Sequence, residues 1–247
     1  MTSAPRSVQL YSVRDALAHD LGGTLRALAA IGFTNVEPYG FVDRADEYAA
    51  ALGEAGLVAP SAHAGLVSAP DPAAVFAAAQ KLGVTTVVDP AIPAERWTTR
   101  SDVVASATRL GELAAQAADF GLTVGYHNHQ WEFEPTVDGA VAFEVFTDAL
   151  APEVVLEIDT FWSTVGGADT PALLRSLGDR VTLLHIKDGP LSLDDDLQLP
   201  AGQGALDVPA ILAAAPTALR VIEFDGYVGD PLEGISASFA WLDDHDR

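Results

Sequence analysis

Asp159, His185 and Glu223 are three ligand-type side chains that each end an otherwise apolar run, in VVLEID, VTLLH and LRVIE. Carboxylate oxygens and imidazole nitrogens arriving from several directions suit a hard or borderline divalent cation. A further group lies in GLTVGYHNHQWEF, residues 121–133, where His127 closes an apolar run and His129, Trp131 and Glu132 come directly after it. Either His127 or Glu132 could supply a fourth ligand. The chain has no cysteine, which excludes thiolate ligands, cysteine nucleophiles and disulfides together. A mixed carboxylate and imidazole set leaves Mn2+, Mg2+, Co2+ and Zn2+ as candidates.

These residues must be positioned by elements that the hydrophobic pattern makes visible. Short β-type runs at 8–11, 35–38, 59–63, 85–89, 122–127, 154–159, 181–187 and 219–224 alternate with helical patterns. The helices are predicted near 22–31, 43–55, 71–82, 101–120, 138–150, 170–178, 207–215 and 231–242. Asp71-Pro72 and Thr170-Pro171 place proline at a helix start, Ser101 can cap the fourth helix, and Gly32, Gly56, Gly83 and Gly121 stand where helices should stop. Strands too apolar to face water, each followed by a helix, indicate an all-parallel sheet covered by helices. Eight such units in 247 residues predict an α/β fold, a single (β/α)8 TIM barrel spanning 1–247. An open doubly wound sheet would carry a glycine-rich loop after its first strand, whereas that turn reads YSVRD.

In such barrels the working residues lie at the C-terminal strand ends. Those ends carry Glu37, His63, Asp89, His127, Asp159, His185 with Lys187, and Glu223 with Asp225, while the opposite ends begin with Val, Thr, Leu or Ala, apart from Asn35. Asp89 has an ordinary alternative as a cap. Glu37 and His63 are rim candidates for substrate contact, and Trp131 and Trp162, with Phe161 and Tyr126, either stack on sugar rings or pack the barrel mouth. The long segment 188–207 is expected to be an active-site flap.

With 13 Lys+Arg against 35 Asp+Glu, the net charge of -22 disfavours nucleic acid and anionic membranes, leaving a cation or a neutral small molecule as the natural ligand. The N-terminus shows no apolar leader and no apolar run reaches membrane-spanning length, so a cytoplasmic protein is expected.

The segments QLYSVRD, IGFTNVEPYG, YHNHQWEF, VVLEIDTFW, LLHIKD, GQGALD and VIEFDGYVGDPLEGISASFAWL resemble the sugar phosphate isomerase/epimerase family of the xylose isomerase-like TIM barrels. The matches run in order through nearly the whole chain. The resemblance implies one divalent metal, commonly manganese, held by Glu, Asp, His and Glu at the ends of strands five to eight. Asp159, His185 and Glu223 match the last three. Many relatives read Glu-Asn-His on strand five, where this chain has His127-Asn128-His129. The expected ligand set is therefore Glu132, Asp159, His185 and Glu223, with Glu132 favoured over His127 because it restores two carboxylates.

A bound metal of that kind would make a substrate C–H acidic by stabilising an enediolate. Glu223 and Glu132, or His127 in its place, are the expected bases, and His129 and Lys187 hold hydroxyls or assist proton transfer. The implied function is a metal-dependent isomerase or epimerase acting on a sugar, keto-sugar or cyclitol. A lyase on the same scaffold (an inosose-type dehydratase or a keto-sugar or glycoside eliminase) is the alternative, with a non-enzymatic sugar-binding subunit behind it. The DNA-repair endonuclease branch is disfavoured by the charge. Among rim cations only Arg14, Arg96 and Lys187 could serve a phosphate. Oligomers are common in relatives, so a homo-oligomer is open, although no stripe in the sequence specifies one.

Overall fold

A computed structural model describes residues 6–246. Its main sheet has seven strands: β1 (Arg6–Val8), β2 (Ser61–His63), β3 (Thr86–Asp89), β4 (Thr123–His127), β7 (Val155–Asp159), β8 (Val181–Ile186) and β9 (Leu219–Ile222). They are all parallel, in the order β1-β9-β8-β7-β4-β3-β2. The gap between β1 and β2 is filled by residues 35–39, which pair by single bridges: Gln9 with Glu37 on one side, and Asn35 with Val58 and Tyr39 with His63 on the other. Glu37 N–H donates to Val8 O at 2.8 Å and His63 N–H to Pro38 O at 2.8 Å. The sheet therefore closes on itself as an eight-membered barrel. Pro38 lacks an N–H and so shortens the second member's ladder to isolated bridges.

The helices pack outside: α1 (Arg14–His19), α2 (Leu21–Ile31), α3 (Ala45–Ala55), α4 (Pro72–Leu82), α5 (Arg100–Ala118), α6 (Ala142–Ala149), α7 (Thr160–Val165), α8 (Thr170–Leu177), α9 (Val208–Ala214) and α10 (Pro231–His245). Four begin with aspartate and an early proline: Asp71, Asp169, Asp207 and Asp230 each accept a first-turn N–H. The cap of α5 is Thr99 rather than the expected Ser101, because Thr99 has the extended backbone from which Oγ1 reaches Asp102 N–H.

Two other expectations shift. The first strand ends at Val8, because residues 10–13 wind into a 3-10 turn capped by Gln9. The helix expected from 138 begins only at Ala142, after a small hairpin of β5 (Thr136–Val137) and β6 (Ala140–Val141). Asp138 and Gly139 both have positive φ, 53° and 87°, as a two-residue hairpin turn requires. That Asp-Gly pair is a turn signal, not a helix start.

The segment 188–207 is packed down against the barrel mouth. Asp188 pairs with Leu199 by a bridge, and its carboxylate accepts from the N–H groups of Gly189, Gly202 and Leu206 at 2.8, 3.1 and 3.0 Å. A side chain at Gly204 would collide with that carboxylate, which accounts for the second glycine of GQG.

Candidate metal centre and active site

Strand alternation puts residues two apart on the same side, so Glu157 and Asp159 of β7 can both serve the barrel axis at different depths. Around them two overlapping clusters form. His127, Asp159, His185 and Glu223 bring one donor atom each to within 4.8 Å of one another, and so do His63, His127, Glu157 and His185. The two shared imidazoles have their nitrogens divided between the clusters. His127 Nδ1 lies 3.1 Å from Glu157 and Nε2 3.9 Å from Asp159. His185 Nδ1 lies 2.7 Å from Glu223, and Nε2 lies 2.8 Å from Glu37 and 3.2 Å from Glu157.

Below, Glu37 accepts from Gln9 Nε2 at 2.8 Å and from Ser61 Oγ, and His63 Nε2 lies 2.5 Å from Glu157. At the rim, Lys187 Nζ is fully buried, 2.8 Å from Asp159, 2.6 Å from Glu223 and 2.5 Å from Asp225.

The titration of these groups follows from burial and mutual charge. Burial opposes protonation of His63, but Glu37 and Glu157 outweigh it and lift the imidazole from 6.5 to about 10. His185 is raised for the same reason by Glu157 and Glu223. Burial, with the charge on His185, drives His127 well below 6.5 and keeps it neutral, as a metal ligand must be. Burial alone would raise Glu223, yet His185 and Lys187 hold it well below 4.5. Five carboxylates (Glu37, Glu157, Asp159, Glu223 and Asp225) thus face Lys187 and two protonated histidines. A divalent cation bound here would take the place of the proton on His185, which must be neutral to ligate it, and would meet these carboxylates in that proton's stead. Glu157 Oε1 is buried without a hydrogen-bond partner, an arrangement that is costly unless a further electropositive group meets it. The donor set fits a divalent metal.

Several expected site residues work one layer behind. Glu132 is outside both clusters: it accepts from Tyr126 Oη–H at 2.7 Å and from His129 N–H at 2.9 Å. His127, the other candidate, is the strand-five residue in both clusters. Trp131 donates to Ile92 O and stacks under His129 with ring centroids 4.1 Å apart. Trp162 donates to Asp225 at 2.9 Å. Asp159 is also the cap of α7, its Oδ1 accepting from Trp162 N–H at 2.8 Å.

The sequence reading missed Glu157, although a glutamate two before Asp159 in an apolar strand was a visible signal. It also passed over Asn128, which spans the ends of β4 and β7 by accepting from Asp159 N–H at 3.0 Å and donating to Asp159 O at 3.3 Å. Gln198, which holds Asp225 by two hydrogen bonds of 2.9 Å, could not have been found, because only folding brings segment 188–207 to it.

Asp89 stands apart from the clusters. Its carboxylate accepts from Leu66, Val67 and Ala91 N–H groups at 2.8, 2.7 and 3.2 Å. In Asp89→Ala these three donors, of which Leu66 N–H is buried, lose their acceptor, and we expect about 3 kcal/mol of destabilisation in a urea titration. Cation stoichiometry should be unchanged; its loss would put Asp89 in the centre.

Glu132 carries a second expectation. Burial raises its carboxyl from 4.5 to about 8, against the Tyr126 and backbone hydrogen bonds. A carboxyl whose pKa is higher in the folded than in the unfolded chain contributes fully below the unfolded value, and that contribution is lost as pH rises through the folded value. Stability should therefore fall by a few kcal/mol between about pH 4.5 and 8 on account of this residue. Glu132→Gln should flatten that slope in unfolding titrations across the range; an unchanged slope would show that Glu132 is ionised throughout.

Above the clusters lies a cavity of about 700 Å³ whose lining includes His63, His127, His129, Glu223 and Asp225. With barrel and rim in place, the sequence profile of the xylose isomerase-like TIM barrel family matches residues 25–244. The chain belongs to that family. Solved structures share the fold. A sugar phosphate isomerase/epimerase from Parabacteroides distasonis is 22% identical with a TM-score of 0.83, covering 98% of this chain and 94% of its own. The IolI protein with a bound zinc atom is 17% identical, TM-score 0.75, covering 97% of each chain. A xylose isomerase-like TIM barrel protein from Mycobacterium smegmatis in complex with magnesium is 17% identical, TM-score 0.69, covering 98% of this chain and 97% of its own. No curated protein matches the chain. Among the described residues no helix is long and apolar enough to cross a membrane.

Proposed function

We propose that the protein is a divalent-metal-dependent isomerase or epimerase acting on a sugar, keto-sugar or cyclitol through an enediolate. The observation that carries this reading is the convergence of His127, Asp159, His185 and Glu223 at the ends of barrel strands five to eight, beneath a cavity of small-molecule size. These four would hold the ion, His127 taking the strand-five place. A cation there supplies Lewis-acid stabilisation of negative charge developing on substrate oxygen. Zinc and magnesium in two neighbouring structures support a metal of this class, and manganese is the expected one.

The chain's own groups then move the proton. Glu223 is kept ionised, and both of its hydrogen-bond donors, His185 Nδ1 and Lys187 Nζ, sit on Oε2, which leaves Oε1 to accept a proton from carbon. His129 lines the same cavity; burial, reinforced by Lys187 and opposed by Asp225, lowers it to about 4, and its Nδ1 has no partner. A neutral imidazole with a free nitrogen can take a hydroxyl proton or return one to carbon. Tyr126, Glu132 and Trp131 hold that imidazole in place.

The test is incubation of keto-sugars in D2O with chelator-treated protein reloaded with Mn2+, Mg2+, Co2+ or Zn2+. Deuterium at an α-carbon with isomerised or epimerised product supports the reading. Loss of water or of a leaving group would move the protein to the lyase alternative, and no exchange with any metal would refute both.

A further inference from the structure

The cavity over the candidate centre has two unlike walls. Histidines and carboxylates crowd the side formed by the ends of strands five to eight. The opposite side comes from the loops after β2 and β3 and the start of α4, where Ala64, Ala69, Pro70, Val75, Pro90 and Ala91 make a mainly apolar wall with Ser68 as its one hydroxyl. That wall is preformed: Asp89 pins Leu66, Val67 and Ala91 by their backbone N–H groups. At the mouth, Tyr11 and Tyr39 meet edge to face with centroids 5.2 Å apart. Tyr11 is 40% exposed and is braced by Arg14, whose guanidinium lies 4.4 Å from the ring centroid and donates to Tyr11 O.

A sugar ring meeting the polar wall would leave the apolar wall and much of the 700 Å³ unfilled. Apart from the proposed cation, no group on the cavity surface could neutralise a phosphate, since among the described residues no lysine or arginine lines it. The three rim cations are engaged elsewhere: Arg14 on Tyr11, Arg96 3.5 Å from Asp102, and Lys187 among three buried carboxylates. A dianion would also sit beside Glu223 and Asp225, where charge repulsion and desolvation both oppose it.

Resting on the carbohydrate reading above, we infer that the substrate is an uncharged keto-sugar joined to an apolar, flat substituent, a glycoside-type molecule whose ring keeps the carbonyl an enediolate requires, rather than a sugar phosphate. The sugar hydroxyls meet the histidine and carboxylate wall, and the substituent lies along the alanine and proline wall toward the two tyrosines.

The experiment is calorimetric titration of Mg2+-loaded protein with matched methyl and phenyl glycosides of glucose, galactose and xylose, and with glucose 6-phosphate and galactose 6-phosphate. In at least one series the phenyl glycoside should bind tenfold or more tightly than the methyl one, about 1.4 kcal/mol, which burial of roughly 60 Å² of apolar surface supplies. The phosphates should not bind. Ala69→Trp fills the apolar wall, and it should erase the phenyl advantage while leaving the methyl glycoside within twofold; Ala91→Phe repeats the test should Ala69→Trp not fold. Equal binding of methyl and phenyl glycosides, or tighter binding of a phosphate, overturns this inference and leaves the carbohydrate reading standing. Failure of every sugar to bind overturns both.

Discussion

Asp159→Asn protein, stripped with chelator and titrated with Mn2+, should bind the ion at least a hundredfold more weakly than the parent and show no turnover. The amide keeps an oxygen that can cap α7 by accepting from Trp162 N–H, so the fold is retained and the change isolates the charge at the centre. Removing one anionic ligand from four is more severe than disturbing a residue that merely orients a ligand, which itself costs tenfold to a hundredfold in affinity. Two companions locate the strand-five ligand. His127→Ala should lose the ion as completely, because His127 belongs to both donor clusters. Glu132→Ala should retain it and lose activity through a displaced His129, whose backbone Glu132 holds. Manganese binding that survives in His127→Ala but not in Glu132→Ala would reverse the assignment.

The second large effect is expected from Lys187→Met. The methionine fills most of the lysine's volume but leaves Asp159, Glu223 and Asp225 without the ammonium now 2.5 to 2.8 Å from each. Breaking a buried charge cluster on one side costs about 3–5 kcal/mol. In EDTA this corresponds to a fall of roughly 10 °C in Tm for a chain of this size. Divalent cation binds the folded state and neutralises the same carboxylates, so saturating Mn2+ should restore a large part of the loss. The metal-induced rise in Tm should therefore be greater in Lys187→Met than in the parent. An equal or smaller rise would mean that the ammonium and the cation do not share these carboxylates.

How much of this was visible beforehand depended on the range of the interaction. The eight strand-helix alternations, the aspartate-proline helix starts and the concentration of ligand-type residues at one set of strand ends are local or periodic features, and all of them are readable along the chain. The Asp138-Gly139 hairpin was equally local and was misread, because its residues run directly into the amphipathic pattern of α6. Glu157 was legible in principle through the two-residue period of its strand.

Sequence by itself determined the barrel and the strand-end places of the three proposed rim ligands, Asp159, His185 and Glu223, since strand length and alternation decide which end of each strand reaches the axis. Only the tertiary structure favours the proposed His127 over Glu132. That choice rests on Tyr126 Oη and His129 N–H reaching the Glu132 carboxylate first, and on where four strand ends converge across the barrel. Spacing along a chain cannot reveal which of two nearby side chains is already satisfied by its neighbours. The two-walled cavity was decided in the same way: the residues of each wall are contiguous in space because β2 lies beside β3 and because β4, β7, β8 and β9 stand side by side.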